Sequence, residues 1–260
     1  MLFVLSPAKS LDESLLSRDI KSSKPAFMGR AAELVSVMRK HSPQQIASLM
    51  KLSDKLALLN AARYEAWSQK NTAKNSKPAV LMFNGDVYDG LDAKSLDDAS
   101  LTWAQDHLCI LSGLYGVLRP LDALQAYRLE MGTALKNPGG KDLYQFWGTD
   151  IALHLNKRLK ESGSDVLVNL ASEEYFKSVD VQAFKGRIVQ CVFEDEKAGK
   201  YKIISFFAKR ARGLMARWAI EHRVTTVEAL RQFNAQGYVY VPSASSEDRL
   251  VFRRKESAQS

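Results

Sequence analysis

The chain has 260 residues, of which 46% are hydrophobic and 25% charged, a formal net charge of +8, and two cysteines. That balance is one of an ordinary globular protein, long enough for a sizeable core in one large domain or two small ones. No apolar run approaches the roughly 18 residues of a membrane span, and Met1–Leu5 is too short for a signal-peptide core, so a cytoplasmic protein with buried, reduced Cys109 and Cys191 is expected.

In chain order, Leu2–Leu5 reads as a short strand running into Ser6-Pro7-Ala8-Lys9. Helical patterns follow at 26–40, 43–50 and 54–70, with Ser42-Pro43 and Ser53 as start signals. Residues 79–83 read as a buried strand ended by Asn84-Gly85, then 97–107 as a helix and 108–111 as another buried strand. The glycine- and proline-marked stretch 112–140 has too little periodicity for an assignment. Residues 143–161 form an amphipathic helix pattern and 165–170 (DVLVNL) a fully buried strand. Residues 187–193 and 201–207 flank the turn Glu196-Lys197-Ala198-Gly199 as a hairpin; helices are expected at 208–223 and 226–233, and a last hairpin from 238–241 and 250–253. The buried strands at 2–5, 79–83, 108–111 and 165–170 point to a central sheet extended by antiparallel hairpins. The fold class is therefore α/β, a single mixed α/β domain over residues 1–260, without a Rossmann or P-loop glycine fingerprint.

Charge is unevenly placed. Residues 197–223 hold eight basic residues and a single acid, Glu221. Such a field attracts phosphate-bearing partners, whereas the structural alternative is a solvated helix face offset by acids from elsewhere in the fold. On a helical wheel, Ala211, Leu214, Met215, Trp218 and His222 form an apolar stripe, and Lys209, Arg210, Arg212, Arg217 and Arg223 fall on the opposite arc.

Two further polar clusters follow buried strands. Residues 111–132 gather Tyr115, Arg119, Asp122, Tyr127, Arg128 and Glu130, and residues 169–177 gather Asn169, Ser172, Glu173, Glu174, Tyr175 and Lys177. Loops after strands are where α/β proteins place ligand sites, although Arg and Asp here can simply pair with each other. If the strand ends converge, they form a mixed-charge cleft. The four histidines are scattered and neither cysteine has a helper histidine in a known motif, so no metal site or cofactor is expected.

The runs SPAKSLD (6–12), SDKLALLNAARYEAW (53–67), FNGDVYDGL (83–91), LSGLYGVLRPLDALQAYRLEMG (111–132), DLYQFWG (142–148), NLASEEYFKSV (169–179), KAGKYKIISFFAKRARGLMARWAIEHR (197–223) and GYVYV (237–241) together resemble the YaaA family of bacterial peroxide-stress proteins. The resemblance implies a role in hydrogen peroxide defence, protecting DNA and protein in association with less unincorporated iron. It also implies a family-specific fold with a positively charged cleft and a helix-hairpin-helix element, and double-stranded and branched DNA as partner. From the residues themselves no membrane partner is expected, since Trp218 lies within the apolar stripe of the basic helix and reads as core.

For the helix-hairpin-helix, the pair 43–50 and 54–70 has the right lengths but no turn glycine, and a rival hairpin lies at 111–122. Candidate DNA-binding residues are Lys51, Lys55, Lys202, Lys209, Arg210, Arg212 and Arg217. The competing function is an enzyme acting on a nucleotide or DNA base, with cleft candidates Lys9, Asp86, Tyr115, Arg119, Arg128, Glu174 and Lys177 and no recognisable catalytic motif.

Overall fold

A computed structural model describes residues 1–16 and 18–259. Its strands are β1 (Leu2–Leu5), β2 (Ser10–Leu11), β3 (Lys77–Pro78), β4 (Phe83–Asn84), β5 (Leu108–Ser112), β6 (Gly116–Leu118), β7 (Ala123–Leu124), β8 (Val166–Leu170), β9 (Arg187–Lys197), β10 (Lys200–Lys202), β11 (Tyr238–Tyr240) and β12 (Arg249–Arg254). Eight of them form one mixed sheet in the order β11-β12-β9-β8-β1-β5-β6, with β10 paired to the far end of β9. The five strands from β12 to β5 run parallel, and β11, β10 and β6 are antiparallel additions. Central strands covered on both faces need unbroken apolar runs rather than alternation, as LFVL, LCILS and VLVNL supply. This is the expected mixed α/β architecture.

Residues 79–83 depart from expectation. Ala79–Met82 is a single helical turn between the two-residue strands β3 and β4, outside the main sheet. A five-residue apolar run fits a buried helix turn as well as a strand, and Pro78 at the N-cap suits the helix. The expected helix over 143–161 is two helices, Leu143–Trp147 and Asp150–Glu161, broken at Gly148 with φ +46°. Residues 201–207 are likewise divided. Only Lys200–Lys202 pairs with β9, and Ser205–Phe207 begins a 17-residue helix ending at Glu221.

The helix pair is present as Pro43–Met50 and Asp54–Ala66. Ser42 and Gln45 form a reciprocal capping box, Pro43 opens the first helix, and Ser53 caps the second. The turn contains no glycine, so Lys51 itself takes the left-handed conformation at φ 52°. The rival segment 111–122 is strand, tight turn and strand, with Leu111 opposite Val117, so it is not a helical hairpin.

Helix Ser205–Glu221 packs against the short helix Asp86–Leu91 through two glycines. A Cβ on Gly213 would strike the Val87 carbonyl, and one on Gly90 the Arg210 carbonyl. Beyond it, Phe193, Phe233, Tyr238 and Phe252 pack edge-to-face and stacked with centroids 5.5–6.4 Å apart. Beside them Asp195, fully buried, accepts from Arg254 at 2.6 Å and from the Tyr238 hydroxyl at 2.9 Å. Both thiols are buried and free, and burial pushes each up to about 12.

Candidate functional site

Strand β1 lies between β5 and β8, and the three run parallel, so the residues that follow them emerge at one edge of the sheet. The chain leaves β1 towards β5 on one side and is later joined by β8 on the other, the strand-order reversal at which open α/β sheets leave a crevice. Here the strand ends converge. Ser6 accepts from the Ser172 backbone N–H at 2.8 Å, and the two hydroxyls lie 3.2 Å apart. Tyr88 donates to the Ser6 carbonyl at 3.0 Å, and Ser112 shares a 2.6 Å hydrogen bond with Tyr127. Burial pushes the Tyr88, Tyr127 and Tyr175 hydroxyls above the ordinary tyrosine range, so they stay protonated.

Above this floor the charged side chains form a connected line. Lys9 contacts Glu130 at 3.3 Å, and Arg128 donates to the same carboxylate at 2.6 and 2.9 Å. Glu174 accepts from the Gly132 N–H at 2.9 Å, and Tyr144 donates to the Glu174 carbonyl while Lys177 sits 5.0 Å from its ring. On the other side Gly85 lies against Ala8, placing Asp86 beside the Lys9 loop, and Lys209 lies 3.9 Å from Asp86. The Arg128 carbonyl accepts from Tyr64 of helix Asp54–Ala66. One series of contacts thus runs from the basic helix, across the strand ends, to the second helix of the helix pair.

Five cleft candidates, Lys9, Asp86, Arg128, Glu174 and Lys177, are brought to this edge. Two are not. Tyr115 is fully buried, and its oxygen accepts from Trp67 at 2.8 Å and from the Gln125 N–H, so its polar atom serves the core. Arg119 follows β6, which runs back antiparallel to β5, and there it pairs with the buried Asp122 at 3.2 Å, the structural alternative for this pair. Burial raises the Asp122 carboxyl against the opposing pull of Ser23 and Arg119. Glu130 of the polar run 111–132 and Ser6 after β1 sit at its centre although neither is among the cleft candidates, and so does Ser112, the last residue of β5, which no pattern in the sequence marks.

The arc of cations on helix Ser205–Glu221 is not an open face, because helix Asp86–Leu91 covers part of it at Gly213. Arg217 is committed to structure. It donates to the carbonyls of Leu91 and Asp92 and to Ser95 at 2.7–3.2 Å, and it pairs with Glu221 at 2.8 Å. Arg210 reaches Gln236 at 3.4 Å. Arg212 is partly buried, which lowers its pKa, and among the described residues it makes no hydrogen bond or ion pair. Lys209 and Lys202 are exposed, as are Lys51 and Lys55 at the helix-pair turn. Ile204 at the N-cap of this helix offers no side-chain cap, and the first turn holds no acid.

A cavity of about 690 Å³ is lined among others by Arg18, Arg63, Trp67, Lys74 and Gln125, and its described lining residues include none of the site candidates. Among the described residues no group of three His, Cys, Asp or Glu side chains is placed to hold a metal ion.

Comparison with known proteins adds the last observation. A family model described as peroxide stress protein YaaA matches residues 1–244. A UPF0246 protein of Polaromonas sp. is 63% identical over 258 residues, covering 99% of this chain and all of the relative. Another from Polaromonas naphthalenivorans is 64% identical with the same coverage, and one from Albidiferax ferrireducens is 60% identical over 256 residues, 98% of this chain and 99% of its own.

Proposed function

This chain belongs to the YaaA family of peroxide stress proteins, and from that premise we propose that it binds DNA and thereby limits oxidative damage. The observation that carries the proposal is the line of polar contacts from Lys209 and Asp86 through Lys9, Glu130 and Arg128 to Tyr64 of the helix pair. Exposed Lys202 and Lys209, and exposed Lys51 and Lys55 at the turn of that pair, add positive charge. Phosphate oxygens suit both pairs of lysines. Lysines supply charge, and the amino end of helix Ser205–Glu221, whose N-cap Ile204 has no polar side chain, carries the positive end of the helix dipole. The helix pair is then the helix-hairpin-helix element, with Lys51 in place of the usual turn glycine.

Contacts of this kind are sequence-independent and release counterions, so affinity for duplex DNA is expected to fall steeply with salt. The test is fluorescence anisotropy of a labelled duplex across a salt series. The double variant Lys202→Glu/Lys209→Glu is expected to bind at least about tenfold more weakly and to lower the salt slope by about 0.9 for each phosphate no longer neutralised. A variant that binds like the parent at moderate salt removes the proposal. Lower unincorporated iron is proposed as a linked cellular outcome, since iron near DNA generates radicals from peroxide.

A second proposed function, chemistry on a nucleotide or base, is favoured by the Lys9–Glu130–Arg128 cluster over the Ser6–Ser172 link, because backbone binding does not require it. Its test is product formation from DNA and nucleotides followed by mass spectrometry. Glu130→Gln should abolish product while duplex affinity is retained.

A further inference from the structure

We infer that Phe206 is a stacking element for an unpaired base, exposed within a lysine-rich segment of the chain. The inference rests on the DNA-binding proposal and adds to it a specificity-determining residue and a preferred substrate feature.

Phe206 is 54% exposed and its neighbour Ile203 57% exposed, at the point where β10 passes into helix Ser205–Glu221. The exposed ring is backed by a continuous support. Phe206 packs on Phe207 with centroids 4.7 Å apart, and the Arg254 guanidinium sits 4.6 Å from the Phe207 ring. Arg254 is itself 5% exposed and held at 2.6 Å by the fully buried Asp195. An aromatic side chain has two rotatable bonds, and one that packs on a neighbouring ring has less ordering left to do on binding.

The surroundings select the partner. Lys200, Lys202 and Lys209 are exposed on either side of the ring in sequence, and no acid lies in the first turn of the helix. A phosphate backbone would be drawn to these cations, yet a fully paired duplex offers the ring no π-face. A bulged or splayed base does. A lipid surface also attracts lysines and exposed apolar groups, but it calls for an apolar stripe continued along the helix. Beyond Phe206 the helix turns Ala208 and Ala211 into the core and exposes Lys209 instead, so the apolar surface ends after one turn.

The experiment compares the full chain on a matched duplex and on the same duplex carrying a single bulged 2-aminopurine. The parent is expected to prefer the bulge and to change the probe's emission. Phe206→Ala is expected to lose about tenfold on the bulge, in line with the loss of one base–aromatic stack, and less than about twofold on the matched duplex. Phe206→Tyr is expected to restore both the preference and the emission change. Equal effects of Phe206→Ala on the two DNAs, or none on either, overturn the inference while leaving DNA binding in place. So does retention of the bulge preference with loss of binding to phosphatidylserine vesicles, which assigns the patch to membranes. A parent that binds neither DNA overturns the DNA-binding proposal together with this one.

Discussion

Ser6 and Ser172, 166 residues apart, are joined by a 2.8 Å hydrogen bond from the Ser172 backbone N–H to the Ser6 hydroxyl. The bond ties the ends of two parallel strands together beneath the Lys9–Glu130–Arg128 cluster, and Ser6 is buried. Ser6→Ala leaves that N–H without its partner, and a loss of about 1–3 kcal/mol is expected, read as a shift in the urea unfolding midpoint. Ser6→Thr, which keeps the acceptor, is expected to lose less.

Gly213→Ala places a methyl group against the Val87 carbonyl, which belongs to a helix and cannot swing aside. The helices must separate, at about 1–3 kcal/mol. Because Asp86 rides on the displaced helix, its approach to Lys209 should change as well. Thermal melting should report the first effect, and a changed duplex affinity the second.

Arg217 and Lys209 stand on the same helix, but opposite outcomes are expected. Removing Arg217 leaves the Leu91 and Asp92 carbonyls and Ser95 without their donor. Arg217→Met is expected to lose about 1.5–3 kcal/mol of stability, from bonds made by a charged donor. Lys209→Met should leave the melting temperature within about a degree of the parent and weaken DNA binding. Paired melting and anisotropy measurements separate the two.

Arg212 presents the reverse case. Its charge is partly desolvated with no counterion or hydrogen-bond acceptor among the described residues, so the folded protein bears a penalty that an anion would relieve. Arg212→Met is expected to raise stability by about 1 kcal/mol while weakening duplex binding. Loss of stability without loss of affinity would make Arg212 a packing residue.

His154 sets an acid limit. Burial lowers its pKa to about 4, helped by Arg158, Lys157 and Arg119 and opposed by Glu161. The folded value lies below the unfolded one near 6.5, so between these values the unfolded chain takes up the proton first. Stability from this group is therefore complete above pH 6.5 and declines as pH falls towards 4, by about 2 kcal/mol after allowing for partial exposure. Melting curves at pH 7 and pH 5 should diverge less in His154→Gln than in the parent.

The strands that make the sheet were legible because burial on both faces writes itself as an unbroken apolar run, as in LFVL and VLVNL. The same signal misled at 79–83, where the run is long enough for one helical turn and carries no period of its own. The helix pair at 43–66 was legible from its caps, since Ser42, Pro43 and Ser53 act locally. The fate of the cations was not. Periodicity placed Arg217 on the same arc as Lys209, but its partners lie about 125 positions earlier in the chain. The convergence of the strand ends followed from polar residues after buried strands. The removal of Tyr115 from the site followed from Trp67 and Gln125, which no local pattern connects to it.

Strand β9 is 11 residues long, about 36 Å at ordinary strand rise. It pairs with β8 through Arg187–Gln190, with β12 along Gln190–Asp195, and with β10 at its far end. The lysines at its tip are therefore mounted on a beam anchored in the middle of the sheet. Their backbone positions are fixed relative to the core, so reach towards a partner comes from the four side-chain torsions of each lysine rather than from movement of the strand.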